Sequence, residues 1–185
     1  MTGPTVAFLG DSITAGYNLP LEQAYPALLH EQLAAAGTPF RVINAGVSGD
    51  TSAGGLRRVD WLLTQKPAVV VIELGGNDGL RGAPTAEIER NLRAIIGKVR
   101  AAGATAMLLG MRLPPSYGDP YAAEFAALYD RVAEQLSLAY VPFFMRGVAG
   151  VLELTQEDGL HPTHEGQRKL AANVAPALTR LLTTP

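Results

Sequence analysis

Apolar residues fall along this chain in two alternating rhythms. Short, nearly continuous runs suit strands, and longer stretches with apolar positions three and four apart suit amphipathic helices. Thr5 to Leu9 reads as a buried strand, and Leu21 to Ala36 as a helix that Gly37 ends. Phe40 to Ile43 is a second strand, and Thr51 to Gln65 a helix stopped by Lys66-Pro67. Ala68 to Leu74 is the strongest strand signal, apolar enough for burial on both faces of a parallel sheet. Thr85 to Ala102 is a helix with Ile88, Leu92, Ile95, Ile96 and Val99 on one face. Ala104 to Leu109 is a fourth strand, Pro120 to Leu138 a helix, and Ala139 to Phe144 a fifth strand. Thr163 to Leu182 closes the pattern as a helix that Pro176 interrupts. This alternation predicts an α/β fold: a three-layer α/β/α sandwich around a mostly parallel sheet of about five strands. Sites in such sheets lie outside the carboxyl ends of the strands.

Composition narrows the reading. The 185 residues carry no compositional break, repeat or linker, which predicts one domain over 1–185. Hydrophobic residues make up 48% and charged residues 17%, a globular balance. The net charge is −2 and no basic run occurs, so nucleic acid is not an expected partner. No stretch reaches the ~18 apolar residues of a membrane span, so no integral membrane segment is expected. Met1-Thr2-Gly3-Pro4 leads directly into the first strand and lacks the form of a signal peptide. The chain as written reads as cytoplasmic, and as periplasmic or secreted if a leader has been removed. The absence of cysteine excludes a thiolate nucleophile and a thiolate zinc site.

The residues that follow the strands carry the chemistry. Gly10-Asp11-Ser12-Ile13-Thr14 follows the first, Asn44-Ala45-Gly46-Val47-Ser48-Gly49-Asp50 the second, and Gly75-Gly76-Asn77-Asp78 the third. Asp158-Gly159-Leu160-His161-Pro162 precedes the last helix. Acyl transfer by serine needs a hydroxyl, a neutral imidazole to take its proton, a carboxylate to hold the imidazole, and donors for the oxyanion. Ser12 supplies the hydroxyl. Asp158 and His161 lie three residues apart, close enough for one turn of chain to present both. Asn77 carries an amide donor.

These four segments resemble the four blocks of the SGNH (GDSL-type) hydrolase family, in order and spacing, over nearly the whole chain. Ala15-Gly16-Tyr17, Glu73 to Gly79, and Met111-Arg112-Leu113-Pro114-Pro115 with Tyr117-Gly118 are similar to its thioesterase–arylesterase–lysophospholipase branch. The resemblance implies a flavodoxin-like fold. It implies Ser12 as nucleophile, His161 as general base then acid, Asp158 as its orienter, and an oxyanion hole from Ser12, Gly46 and Asn77. The implied substrates are small acyl esters, aryl esters and acyl thioesters, with neither metal nor cofactor. The family's last block commonly continues His-Pro-Asn, where this chain has His161-Pro162-Thr163. Leu80, Leu113, Pro114 and Tyr117 are expected to border the site and offer apolar surface to an acyl chain.

Competing readings exist for each residue. Ser12 and Asn77 could be helix caps, and Asp11 and Asp78 are read as structural. Ser48 is a rival nucleophile, but Gly46-Val47-Ser48-Gly49-Asp50 lacks the fifth-position glycine of a nucleophile elbow. Asp158, His161 and His164 could serve a metal-dependent hydrolase, yet neither His30 nor His164 begins a paired-histidine zinc motif. No phosphate-binding glycine motif follows a strand. A carbohydrate acetylesterase of the same family is the nearer alternative.

Overall fold

The computed structural model describes residues 3–184, so Met1 and Thr2 of the N-terminal reading lie outside the described residues. Five parallel strands form one sheet in the order β2-β1-β3-β4-β5. They are β1 (Thr5–Gly10), β2 (Arg41–Gly46), β3 (Val69–Glu73), β4 (Thr105–Leu109) and β5 (Ala139–Val141). β1 and β3 are buried along their whole length, as their unbroken apolar sequences require.

Seven α-helices connect and close the sheet: α1 (Ser12–Ala15), α2 (Tyr25–Ala35), α3 (Ser52–Leu63), α4 (Gly76–Leu80), α5 (Thr85–Ala101), α6 (Asp119–Gln135) and α7 (His164–Thr183). α2 packs against α7, while α3 packs on α5 and α5 on α6. Right-handed crossovers put the first pair on one face of the sheet and the second group on the other. The order in which strands are added reverses between β1 and β3, so the loops after these two parallel strands open a crevice at the sheet's carboxyl edge.

Some boundaries differ from the sequence expectation for local reasons. The first helix is split: residues Leu21–Gln23 form a 3-10 turn, Ala24 is extended, and α2 starts afresh with Pro26 in its first turn. β5 stops at Val141 because Pro142 has no N–H for the ladder. α7 runs through Pro176 without interruption. Its buried stripe of Leu170, Val174, Ala177 and Leu178 holds it on the sheet despite the lost hydrogen bond.

Candidate active site

The turn after β1 is built by Asp11. Its Oδ1 accepts the N–H of Ile13 at 2.9 Å, which makes Asp11, not Ser12, the cap of α1. Ser12 is thereby freed from capping and lines the cavity described below. Its backbone N–H, in the first turn of α1, donates to no group among the described residues.

Asp158 and His161 sit in a narrow loop rather than on a helical turn. Thr155 and Pro162 form an antiparallel bridge, and Gln156 N–H donates to His161 C=O at 2.7 Å. Inside that loop Asp158 Oδ1 accepts the N–H groups of Leu160 and His161, both at 2.9 Å. Asp158 Oδ2 lies 2.6 Å from His161 Nδ1. The hydrogen bond from the His161 ring, then the backbone donors, pulls the Asp158 carboxyl down to about 2. His161 Nε2 lies 2.8 Å from Ser12 Oγ. Tyr17 stacks on the imidazole with ring centroids 4.2 Å apart and planes tilted by 31°. Gln156 Nε2 reaches from the histidine loop to the Tyr17 carbonyl at 2.8 Å and ties the two segments together.

A cavity of about 450 Å³ opens beside Ser12 and His161. Asp11 and Asn77 form part of its polar floor, and Leu80, Leu113 and Pro114 part of its apolar wall. The sequence reading missed Met111, Phe143, Met145, Ala149 and Leu160 on that wall. Their signal was faint: apolar residues, some in short runs such as Phe143-Phe144-Met145, in loops that only the fold brings together. Tyr117 is a correction, because it does not line the cavity. Its hydroxyl donates to Leu80 C=O at 3.1 Å and props the wall from behind.

Gly46 is the second correction. It is the last residue of β2, in register with Gly10, and its N–H donates to Asn44 Oδ1 at 2.9 Å. A Cβ there would meet the Ala15 backbone nitrogen at 2.2 Å, so this glycine serves close packing of β2 against α1. Neither Gly46 nor Gly49 lines the cavity, and what separates them is that the Gly46 N–H is already engaged. Gly49, three residues on, has φ +79° and is exposed, and its N–H has no partner among the described residues. The adjacent Asp50 C=O accepts Asn77 Nδ2 at 2.9 Å, and Asn77 Nδ2 also donates to Asp11 Oδ2 at 3.1 Å.

The remaining candidates fall elsewhere. Ser48 is exposed on the turn after β2 and outside the cavity wall. Asp78 is structural, accepting the N–H and hydroxyl of Ser52 at 2.9 and 2.6 Å. His30 packs edge-on against Phe40. His164 begins α7, and among the described residues no three His, Asp or Glu side chains converge as a metal site. No described helix is long and apolar enough to cross a membrane.

A parallel sheet with serine, histidine and carboxylate at its carboxyl edge defines the class: a carboxylic-ester hydrolase of the SGNH type. Comparison with known proteins gives the family. Residues 8–169 match the GDSL-like lipase/acylhydrolase family, and the chain belongs to it. It is 50% identical to the esterase TesA of Pseudomonas aeruginosa over 179 residues, 96% of this chain and 89% of that one. It is 41% identical to thioesterase 1/protease 1/lysophospholipase L1 of Escherichia coli, over 96% of this chain and 85% of that protein. Among solved structures, the psychrotrophic esterase EstA from Pseudoalteromonas sp., inhibited by monoethylphosphonate, superposes with a TM-score of 0.91 at 37% identity. That match covers 98% of this chain and 100% of the other.

Proposed function

We propose that this enzyme hydrolyses short- to medium-chain acyl esters, aryl esters and acyl thioesters through an acyl-enzyme on Ser12. One observation carries the reading: Ser12 Oγ, His161 and Asp158 form a continuous hydrogen-bonded line of 2.8 and 2.6 Å at the mouth of an apolar-walled cavity. His161 accepts the Ser12 proton at Nε2 and donates Nδ1–H to Asp158. Ser12 Oγ attacks the carbonyl carbon as its proton passes to Nε2. The alcohol or thiol leaves with that proton, and the acyl group remains on Ser12. Water then attacks, gives a proton to Nε2, and the Ser12 oxygen leaves by taking it back. The carboxylate of Asp158 balances the imidazolium in both steps.

The oxyanion is held by the N–H of Ser12, the amide of Asn77 and the N–H of Gly49. Gly49 takes the role that sequence alone gives to Gly46. Supporting this are its unpaired, exposed N–H and the bond between the next carbonyl and Asn77. The Asn77 hydrogen facing Asp11 makes the longer of its two bonds and is the one the oxyanion shares. The cavity lies within the ~300–1,000 Å³ of small-molecule sites.

An alkyl phosphonate tests the reading, since its phosphorus mimics the tetrahedral intermediate. Stoichiometric adduct on Ser12 with loss of p-nitrophenyl ester and acyl thioester hydrolysis is expected, and Ser12→Ala should take no label. An adduct on another residue, or hydrolysis surviving in Ser12→Ala, overturns the assignment. Activity confined to acetylated xylan in a chain-length comparison overturns the substrate class.

A further inference from the structure

The cavity floor is held from outside by a side chain that touches none of the reacting atoms. Arg58, on α3, is half-buried, and its guanidinium makes three short contacts with parts of the chain far apart in sequence. Nε donates to Asp50 Oδ2 at 2.7 Å, one terminal nitrogen to Ala45 C=O at 2.6 Å, and the other to Gly10 C=O at 2.9 Å. Gly10 lies two residues before Ser12, and Ala45 near the end of β2. Asp50 follows Gly49, and its carbonyl accepts the Asn77 amide. One planar cation thus joins the end of β1, the end of β2 and the turn between Gly46 and Thr51. Where the β1–β2 ladder runs out, Gly10 C=O also accepts Val47 N–H at 3.0 Å, so Arg58 closes the seam at the point where the turn departs.

We propose that Arg58 is a positioning residue for the oxyanion site. Its fork fixes the turn of residues 47–50 against the nucleophile turn, so the donors of Gly49, Asn77 and Ser12 converge on one point. This rests on the oxyanion reading given above. The work requires an arginine. A lysine ammonium carries the charge but cannot present three divergent donors in one plane. The inference also accounts for Asp50, whose side chain receives both Arg58 and the N–H of Thr51 while its carbonyl serves Asn77.

The test compares Arg58→Met, Arg58→Lys, Asp50→Asn, Asn77→Ala and the Arg58→Met/Asn77→Ala double variant in the full chain. Turnover of a p-nitrophenyl ester is normalised to sites titrated with alkyl phosphonate, and thermal midpoints are measured beside it. Displacing donors by about an ångström should lower kcat of Arg58→Met roughly 10–100-fold, with KM changed by less than about threefold. Arg58→Lys should recover part of the loss. Asn77→Ala should lose on the order of 10²–10³. In its background the Arg58 effect should shrink to within about threefold, because there is less left to position. Should Arg58→Met fail to fold, Asp50→Asn keeps both carbonyl contacts of Arg58 and should still lower kcat at constant KM. Unchanged kcat per titrated site alongside a lower thermal midpoint would make Arg58 purely structural and overturn the inference. Fully multiplicative effects in the double variant would overturn it as well. Unchanged turnover in Asn77→Ala would instead overturn the oxyanion reading beneath it.

Discussion

Asp158 serves two purposes with two oxygens. Oδ1 folds the loop by accepting backbone N–H groups, and Oδ2 holds the His161 ring. Asp158→Asn keeps an acceptor for the loop but loses the anion. Turnover should fall by up to about 10⁴-fold. The variant should keep its fold, and a thermal midpoint measured beside kcat separates the two effects. Gly46 and Gly49 make the complementary pair. Gly46→Ala forces a Cβ onto the Ala15 backbone and should cost about 1–3 kcal/mol or more, read as a lowered denaturation midpoint. A Gly46→Ala variant of native stability would overturn this packing role. At this scale Ser12, Asn77, Asp158 and His161 could be picked out as candidates, because each stands beside a strand or helix end in a block of recognisable type. The two glycines were not separable in sequence. Both suit a turn, and only the length of β2 leaves Gly46 in the ladder and Gly49 beyond it. Arg58 was invisible, since a helical arginine carries no local sign of its bond to Gly10, 48 residues away.

Helix α7 shows how an element delivers a loop. Thr163 caps it, with its hydroxyl accepting Gly166 N–H at 3.2 Å, two residues after the site histidine. Gln167 is fully buried in the next turn. It accepts Tyr25 N–H at 2.8 Å and donates to Ile13 C=O at 3.1 Å, which links α7 to α2 and to α1, the helix that carries Ser12. Thr163→Ala should cost about 1 kcal/mol. For a chain of this size that is a fall of about 2–4 °C in Tm, measurable by calorimetry. The long elements were readable from sequence because apolar periodicity is strong over α3, α5 and α6. α1 and α4 were not, since four or five residues hold little more than one turn of pattern. Pro176 misled because sequence shows the missing N–H but not the buried face that outweighs it.

Beneath the site lie two carboxyls that burial makes less acidic, those of Glu73 and Asp11. Glu73, at the end of β3, is fully buried, and its Oε2 accepts Thr14 Oγ1 at 2.8 Å and Asp11 N–H at 3.3 Å. Burial, then the neighbouring Asp11, raises the Glu73 pKa well above the usual carboxylate range. Burial pushes Asp11 up to about 6. Both folded values lie above the unfolded ones of ~4. The stability these groups contribute is therefore full below about pH 4 and lost as pH rises; for Asp11 the loss runs through about 6. Glu73→Gln removes one of them. Its thermal midpoint relative to wild type should rise between pH 4.5 and pH 8, and a constant difference across that range would refute a neutral buried Glu73. The buried apolar core draws residues from β1 to β4 and from α2, α3, α5, α6 and α7, with Ala139, Tyr140 and Val141 of β5 packed against it. We propose that residues 3–184 unfold as one unit, with far-ultraviolet circular dichroism and ester hydrolysis lost in a single coincident transition.

The line between Ser12 and His161 spans 149 positions of chain. A ribosome adding ~5–20 residues per second makes the serine roughly 7–30 s before the histidine exists. Throughout that interval the nascent polypeptide carries Ser12 without the histidine that faces it in the folded protein. Under the mechanism proposed above, synthesis itself acts as a timer: hydrolysis is expected to begin only when the last segment has been made and docked, and a transcript cut short before Asp158 is expected to yield an inert protein.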